Sequence, residues 1–125
     1  MDGKLRTLIV DDSFIMRQFI HKMLEKYFNV EVLGHAEDGK KALEMFRETN
    51  PDYVTLDITM PLMDGISVLQ SMLEIKPSAK IMIVTALSDK ETALRALKIG
   101  AKNLIIKPFA AEKLKEAFGR LIEKN

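Results

Sequence analysis

Five polar residues in the chain stand where an apolar run stops. Asp11 and Asp12 follow Leu8-Ile9-Val10, Asp57 follows Tyr53-Val54-Thr55-Leu56, Thr85 follows Ile81-Met82-Ile83-Val84, and Lys107 follows Leu104-Ile105-Ile106. Three carboxylates gathered in one crevice repel one another and call for a cation. Carboxylate oxygens suit Mg2+, which takes octahedral oxygen coordination and keeps several waters. A carboxylate is also a nucleophile able to form an acyl phosphate. Catalysis of phosphoryl transfer is mostly positioning plus electrostatic stabilisation of the phosphoryl oxygens. Mg2+ could hold one oxygen, the Lys107 ammonium a second, and the Thr85 hydroxyl or backbone N–H groups a third. Charge alone does not say which aspartate is the nucleophile. Asp57 is favoured because it ends the middle strand, leaving Asp11 and Asp12 for the metal.

These residues meet only if each apolar run is a buried strand of one open parallel sheet, in which ligands bind beyond the carboxyl ends of the strands. The sequence predicts strands over 5–10, 30–36, 52–56, 80–85 and 103–106. Helical spacing of apolar residues predicts the segments between them. The inward faces are Met16, Ile20, Met23, Leu24 and Tyr27; Ala42, Leu43 and Phe46; Ile66, Leu69 and Leu73; Ala93, Leu94 and Leu97; and Leu114, Ala117, Phe118, Leu121 and Ile122. Asn50-Pro51, Lys76-Pro77-Ser78 and Gly100 end helices, Asp64-Gly65 reads as a turn, and Ser88-Asp89-Lys90-Glu91 reads as a capping box. Five β-α alternations argue for an α/β domain, a parallel sheet with helices on both faces. Segment 30–36 alternates most and is expected at an edge.

Composition bounds the function. The 125 residues, 47% of them hydrophobic, suit one domain with a real core, 1–125, with no output domain expected after the last helix. A net charge of +1 gives no general attraction to nucleic acid or anionic membrane. With no cysteine there is neither disulfide nor thiolate chemistry. No apolar run approaches the roughly 20 residues that span a bilayer. The short N-terminus before the first strand leaves no room for a leader, so a cytoplasmic monomer is expected. His21, on an exposed helix face, and His35, near the second strand, read as structural.

Val10-Asp11-Asp12-Ser13, Asp57-Ile58-Thr59-Met60-Pro61-Leu62-Met63-Asp64-Gly65, Thr85-Ala86 and Lys107-Pro108-Phe109 resemble the receiver domain of two-component response regulators, over the whole chain and in family order. The likeness is strongest to the stand-alone chemotaxis type. It implies a flavodoxin-like sheet in the order 2-1-3-4-5. It also implies that Asp57 accepts a phosphoryl group from a sensor histidine kinase. Asp11, Asp12, Asp57 and the Thr59 carbonyl would coordinate Mg2+, Thr85 and Lys107 would contact the phosphoryl group, and the Lys107–Pro108 bond would be cis. The domain would promote its own phosphorylation and dephosphorylation without being an enzyme in the usual sense.

Where the family often carries Tyr or Phe, this chain has Leu104, so the aromatic readout of the switch is missing. Thr59 and Leu87 stand at positions that tune hydrolysis in the family. Neither offers a carboxylate or amide, and a long-lived phosphoryl group is expected. The message would leave through protein–protein contact at the fourth helix, fifth strand and fifth helix, with Lys90, Arg95, Lys98, Lys102, Leu104 and Pro108 on or near that face. A flagellar motor switch protein or a phosphatase would suit as target. The alternatives are a phosphorelay intermediate, an unphosphorylated interaction module of the same fold, and an aspartate-nucleophile phosphatase. Against the last, the acid pair is contiguous rather than separated.

Overall fold

The computed structural model describes residues 3–60 and 64–124; Pro61, Leu62 and Met63 of the resembling segment lie outside them. Five strands alternate with five helices: β1 (Leu5–Val10), α1 (Phe14–Tyr27), β2 (Val30–Ala36), α2 (Gly39–Thr49), β3 (Tyr53–Asp57), α3 (Gly65–Ile75), β4 (Lys80–Ala86), α4 (Lys90–Ile99), β5 (Asn103–Lys107) and α5 (Ala111–Glu123). All strand pairs are parallel and the order is β2-β1-β3-β4-β5, as expected. The sheet is an α/β flavodoxin-like one, with β2 at one edge. A register shift between Thr7 and Leu8 bulges that edge pairing.

Alternation along the strands divides the core. Leu8, Val10, Leu56, Ile81 and Ile83 face α2, α3 and α4, where Phe46, Leu69, Met72 and Ala96 meet them. Ile9, Met82, Val84 and Ile105 face α1 and α5, packing on Ile20, Leu24, Leu114, Phe118 and Leu121. Because β1, β3 and β4 are covered on both faces, they read as unbroken apolar runs. Phe46 and Phe118 anchor the two halves with no exposed surface. Truncating either to alanine should cost about 3–5 kcal/mol.

Local chemistry fixes the turns. Asp64 caps α3, accepting from Ile66 N–H at 3.1 Å, Ser67 N–H at 3.4 Å and the Ser67 hydroxyl at 2.9 Å. The Ser67 hydrogen bonds hold its carboxyl below the usual range. A side chain at Gly65 would strike the Ile58 Cα at 2.6 Å, so only glycine lets α3 start this close to β3. Gly100 ends α4 at φ 142°.

Several expectations fail in detail. The capping box is absent: Leu87–Asp89 forms a 3-10 turn, and neither Ser88 nor Asp89 caps α4 through its side chain. Leu94 points outward and is 57% exposed. Tyr27 lies against the ammonium groups of Lys26 and Lys115 rather than in the core, and it is Phe28 that packs on Phe118. His21 is no isolated helix-face residue, because its Nδ1 lies 2.7 Å from His35 Nε2.

Candidate functional site

Every residue of the acidic crevice is set by a strand end. Asp11 follows β1 and is tied in by its N–H to the Ala36 carbonyl at 3.0 Å. Asp57 closes β3 opposite Val84, and the next residue, Ile58, donates to the Val84 carbonyl at 3.1 Å. Lys107 closes β5 opposite Ala86, and its bond to Pro108 is cis. Carboxylate oxygens of Asp11, Asp12 and Asp57 lie within 4.8 Å of one another.

Burial makes this arrangement costly. Asp11 is fully buried and Asp57 is 1% exposed, while Asp12 is open to solvent. The Lys107 Nζ lies 3.0 Å from Asp11 Oδ2 and 3.1 Å from Asp57 Oδ2. Its contact with Asp11 is an ion pair without hydrogen-bond alignment, so Asp11 Oδ2 has no proper donor. Burial pushes the Asp11 carboxyl above its ordinary range, against the opposing pull of the Ser13 N–H and Lys107. Burial also pulls Lys107 down, but the two aspartates outweigh it and hold the ammonium above its ordinary value. One ammonium thus faces three carboxylates. An orphaned buried oxygen beside two more acidic groups is a donor set that fits a hard divalent cation.

Neither aspartate of the acid pair caps α1. Ser13 caps α1, its hydroxyl accepting from Met16 N–H at 3.1 Å, and Asp11 Oδ1 instead accepts from Ser13 N–H at 2.9 Å. Thr59 meets Asp57 through other atoms than the carbonyl expected of it. Its N–H and hydroxyl both donate to Asp57 Oδ1, at 2.8 and 2.6 Å. No sequence signal marked that pair of contacts beyond the Asp-x-Thr spacing.

Thr85 stands apart. It is 1% exposed, and its hydroxyl donates weakly to the Ala86 carbonyl at 3.3 Å rather than to Asp57. It lines an apolar cavity of about 190 Å3 with Lys90, Ala93, Leu94, Leu104 and Ile106. Pro108, Lys90, Arg95 and Lys98 are exposed and Lys102 is half-buried. The Leu87 side chain lies outside the described residues. Phe14 and Ile15, 64% and 79% exposed at the start of α1 beside Asp12 and Ser13, escaped sequence reasoning.

A parallel 2-1-3-4-5 sheet with acidic groups at the carboxyl ends of its first and third strands, and a lysine before a cis-proline at the end of its fifth, defines a receiver domain. The response regulator receiver domain model matches residues 7–119, and the chain belongs to that family. Among its relatives, the chemotaxis protein CheY of Thermotoga maritima is 40% identical over 116 residues, covering 93% of this chain and 96% of that one. The CheY of Bacillus subtilis is 41% identical over 117 residues, covering 94% and 97%. The receiver domain of AraT, a response regulator from Geobacillus stearothermophilus, superposes with a TM-score of 0.87 at 28% identity, over 95% of this chain and 93% of that one. Receiver domains of this type are signalling switches rather than enzymes in the usual sense. They act with histidine kinases and downstream targets. Among the described residues no helix is long and apolar enough to cross a membrane.

Proposed function

We propose that the chain is a chemotaxis-type phospho-switch, accepting a phosphoryl group from a sensor histidine kinase onto Asp57. The observation that carries this reading is the position of Asp57: buried, at the end of the central strand, with Lys107 at 3.1 Å and two further carboxylates beside it. An Asp57 oxygen attacks phosphorus, the P–N bond of the phosphohistidine breaks, and the imidazole leaves with the electron pair. Asp11, Asp12, Asp57 and the Thr59 carbonyl would hold Mg2+. When bound, the ion supplies charge neutralisation for the carboxylates and the transferring phosphoryl oxygens.

The remaining work falls to side chains. Lys107, already between Asp11 and Asp57, is poised to exchange a carboxylate for a phosphoryl oxygen. The Thr59 N–H and hydroxyl hold Asp57 Oδ1, which orients the carboxylate and leaves Oδ2 as its less encumbered oxygen. Thr85 must leave the Ala86 carbonyl to reach the phosphoryl group. Its movement would alter the cavity it shares with Leu104, Lys90 and Leu94, and so would pass the signal to α4 and β5. With leucine at 104, that cavity changes shape without an aromatic ring. Output by protein contact through Lys90, Arg95, Lys98 and Lys102, toward a motor switch protein, a phosphatase or a relay partner, completes the reading. Neither Thr59 nor Leu87 supplies a water-orienting carboxylate or amide, and slow self-dephosphorylation follows from that.

Intact mass after incubation with acetyl phosphate and Mg2+ tests the proposal. One added phosphoryl mass, lost with EDTA and absent from Asp57→Ala, is expected. Binding of beryllofluoride without an adduct would implicate the donor or fast hydrolysis. Binding of neither by the folded protein would replace the proposal with a constitutive interaction module.

A further inference from the structure

We propose that His21 and His35 form a second cation site, separate from the acidic crevice, for an imidazole-preferring divalent metal of the Zn2+, Cu2+ and Ni2+ class. The two rings come from different elements, His21 from α1 and His35 from the edge strand β2, and are 14 residues apart in sequence. Their facing nitrogens, His21 Nδ1 and His35 Nε2, stand 2.7 Å apart. Their planes are tilted by 53° with centroids 5.0 Å apart, so the rings do not stack, and nitrogen faces nitrogen. At this separation at most one of the two facing nitrogens carries a proton. A divalent ion can take that proton's place once the proton moves to the far nitrogen of its own ring, which frees both facing lone pairs.

The geometry asks little of the fold. Imidazole nitrogens bind Zn2+ at about 2.0–2.1 Å, which separates two of them by about 3.3 Å at a tetrahedral angle. The rings must therefore part by a little over half an ångström from their 2.7 Å contact. Both side chains are partly exposed, so water can fill the remaining coordination positions.

Glu25, one helical turn beyond His21, supplies the outer partner. Its Oε2 lies 3.0 Å from His21 Nε2. A carboxylate there favours the proton on Nε2 and leaves the Nδ1 lone pair facing His35, the arrangement that metal-bound histidines commonly have. The charge of Arg17, felt at His35, opposes a cation and sets a limit on affinity. Imidazole nitrogen suits Zn2+, Cu2+ and Ni2+, whereas an all-oxygen crevice suits Mg2+. Each site should therefore keep its own ion. An occupied His21–His35 site ties β2 to the helix that begins beside Asp12 and Ser13.

The test titrates the whole chain, saturated with Mg2+, with Zn2+. Calorimetry counts the sites while the imidazole nitrogens are followed by NMR. One bound Zn2+ is expected, with the largest shifts at His21 Nδ1 and His35 Nε2. His35→Asn should weaken binding by at least about tenfold, and Glu25→Gln by about 10–100-fold. Asp57→Asn should leave the affinity unchanged. Absence of zinc binding, or wild-type imidazole nitrogens that do not move while zinc binds, overturns the proposal. So does binding that survives His35→Asn and disappears in Asp57→Asn, which assigns the metal to the crevice. The wild-type nitrogen shifts decide the matter even if a variant disturbs β2.

Discussion

Charged clusters sit at both ends of the sheet, and they are built on opposite plans. At the amino end, Asp52 is half-exposed and has two cations, Lys76 at 2.8 Å and Arg6 at 4.0 Å. Arg6 also donates to the Thr49 and Asn50 carbonyls at 2.6 Å each, and Lys76 to the Asn50 carbonyl at 3.2 Å. These are the carbonyls at the end of α2, where positive charge also offsets the helix dipole. The surplus positive charge beside Asp52 is offset by the α2 carbonyls, acceptors have donors, and water reaches the group. At the carboxyl end, two buried carboxylates and one exposed one share a single ammonium, and Asp11 Oδ2 lacks an aligned donor. The balanced, wet cluster holds structure together. The unbalanced, mostly buried one carries an excess of negative charge that suits the cation proposed above, as functional sites commonly do.

The comparison breaks most visibly on the two lysines. Lys107→Met leaves Asp11 and Asp57 buried without their counter-charge, and should cost the metal-free protein on the order of 3 kcal/mol, part of it recovered with Mg2+. Lys76→Met removes a partner from a half-exposed acid, and should cost at most about 1 kcal/mol, with no dependence on Mg2+. Urea unfolding with and without Mg2+ measures both, and equal losses would erase the distinction between the two ends.

Asp12→Asn sharpens it from the other side. Removing the exposed member of the cluster relieves repulsion. The melting midpoint without Mg2+ should rise, and the midpoint gain on adding Mg2+ should shrink. Calorimetric scans at low ionic strength, where the repulsion is least screened, would show a fall instead if the crevice were already balanced.

The smallest effect is a flat line. Asp11 and Asp57 outweigh burial and raise the folded pKa of Lys107. Its stabilising contribution is therefore complete below the unfolded pKa and lost only as pH climbs through the higher folded value. The stability gap between the wild type and Lys107→Met should stay constant from about pH 7 to 9, well below the ordinary lysine pKa. A gap that closes within that window would contradict the raised pKa.

How much of this was legible in the sequence follows from where the information lies. Apolar runs gave the strands because β1, β3 and β4 are buried on both faces. Their ends shifted by a residue: 52–56 became Tyr53–Asp57, since ladder pairing carries Asp57 into β3 opposite Val84. The strand ends delivered Asp11, Asp12, Asp57 and Lys107 together. Thr85 ends the same row, yet its hydroxyl turns to its own neighbour's carbonyl, a rotamer that no spacing reveals. The donors of Thr59 to Asp57 depend on a turn two residues long. Ser88 reads as a cap but falls in a 3-10 turn. The His21–His35 contact joins a helix to a strand, and pairing across elements leaves no mark in either one's periodicity.

The most direct test of the central claim is chemical. The protein is treated with acetyl phosphate and Mg2+, reduced with borohydride, which converts an aspartyl phosphate to homoserine, and mapped by peptide mass. The account predicts homoserine at position 57 and at no other aspartate. Homoserine at Asp11 or Asp12, or none in a protein that gains the phosphoryl mass, would contradict it.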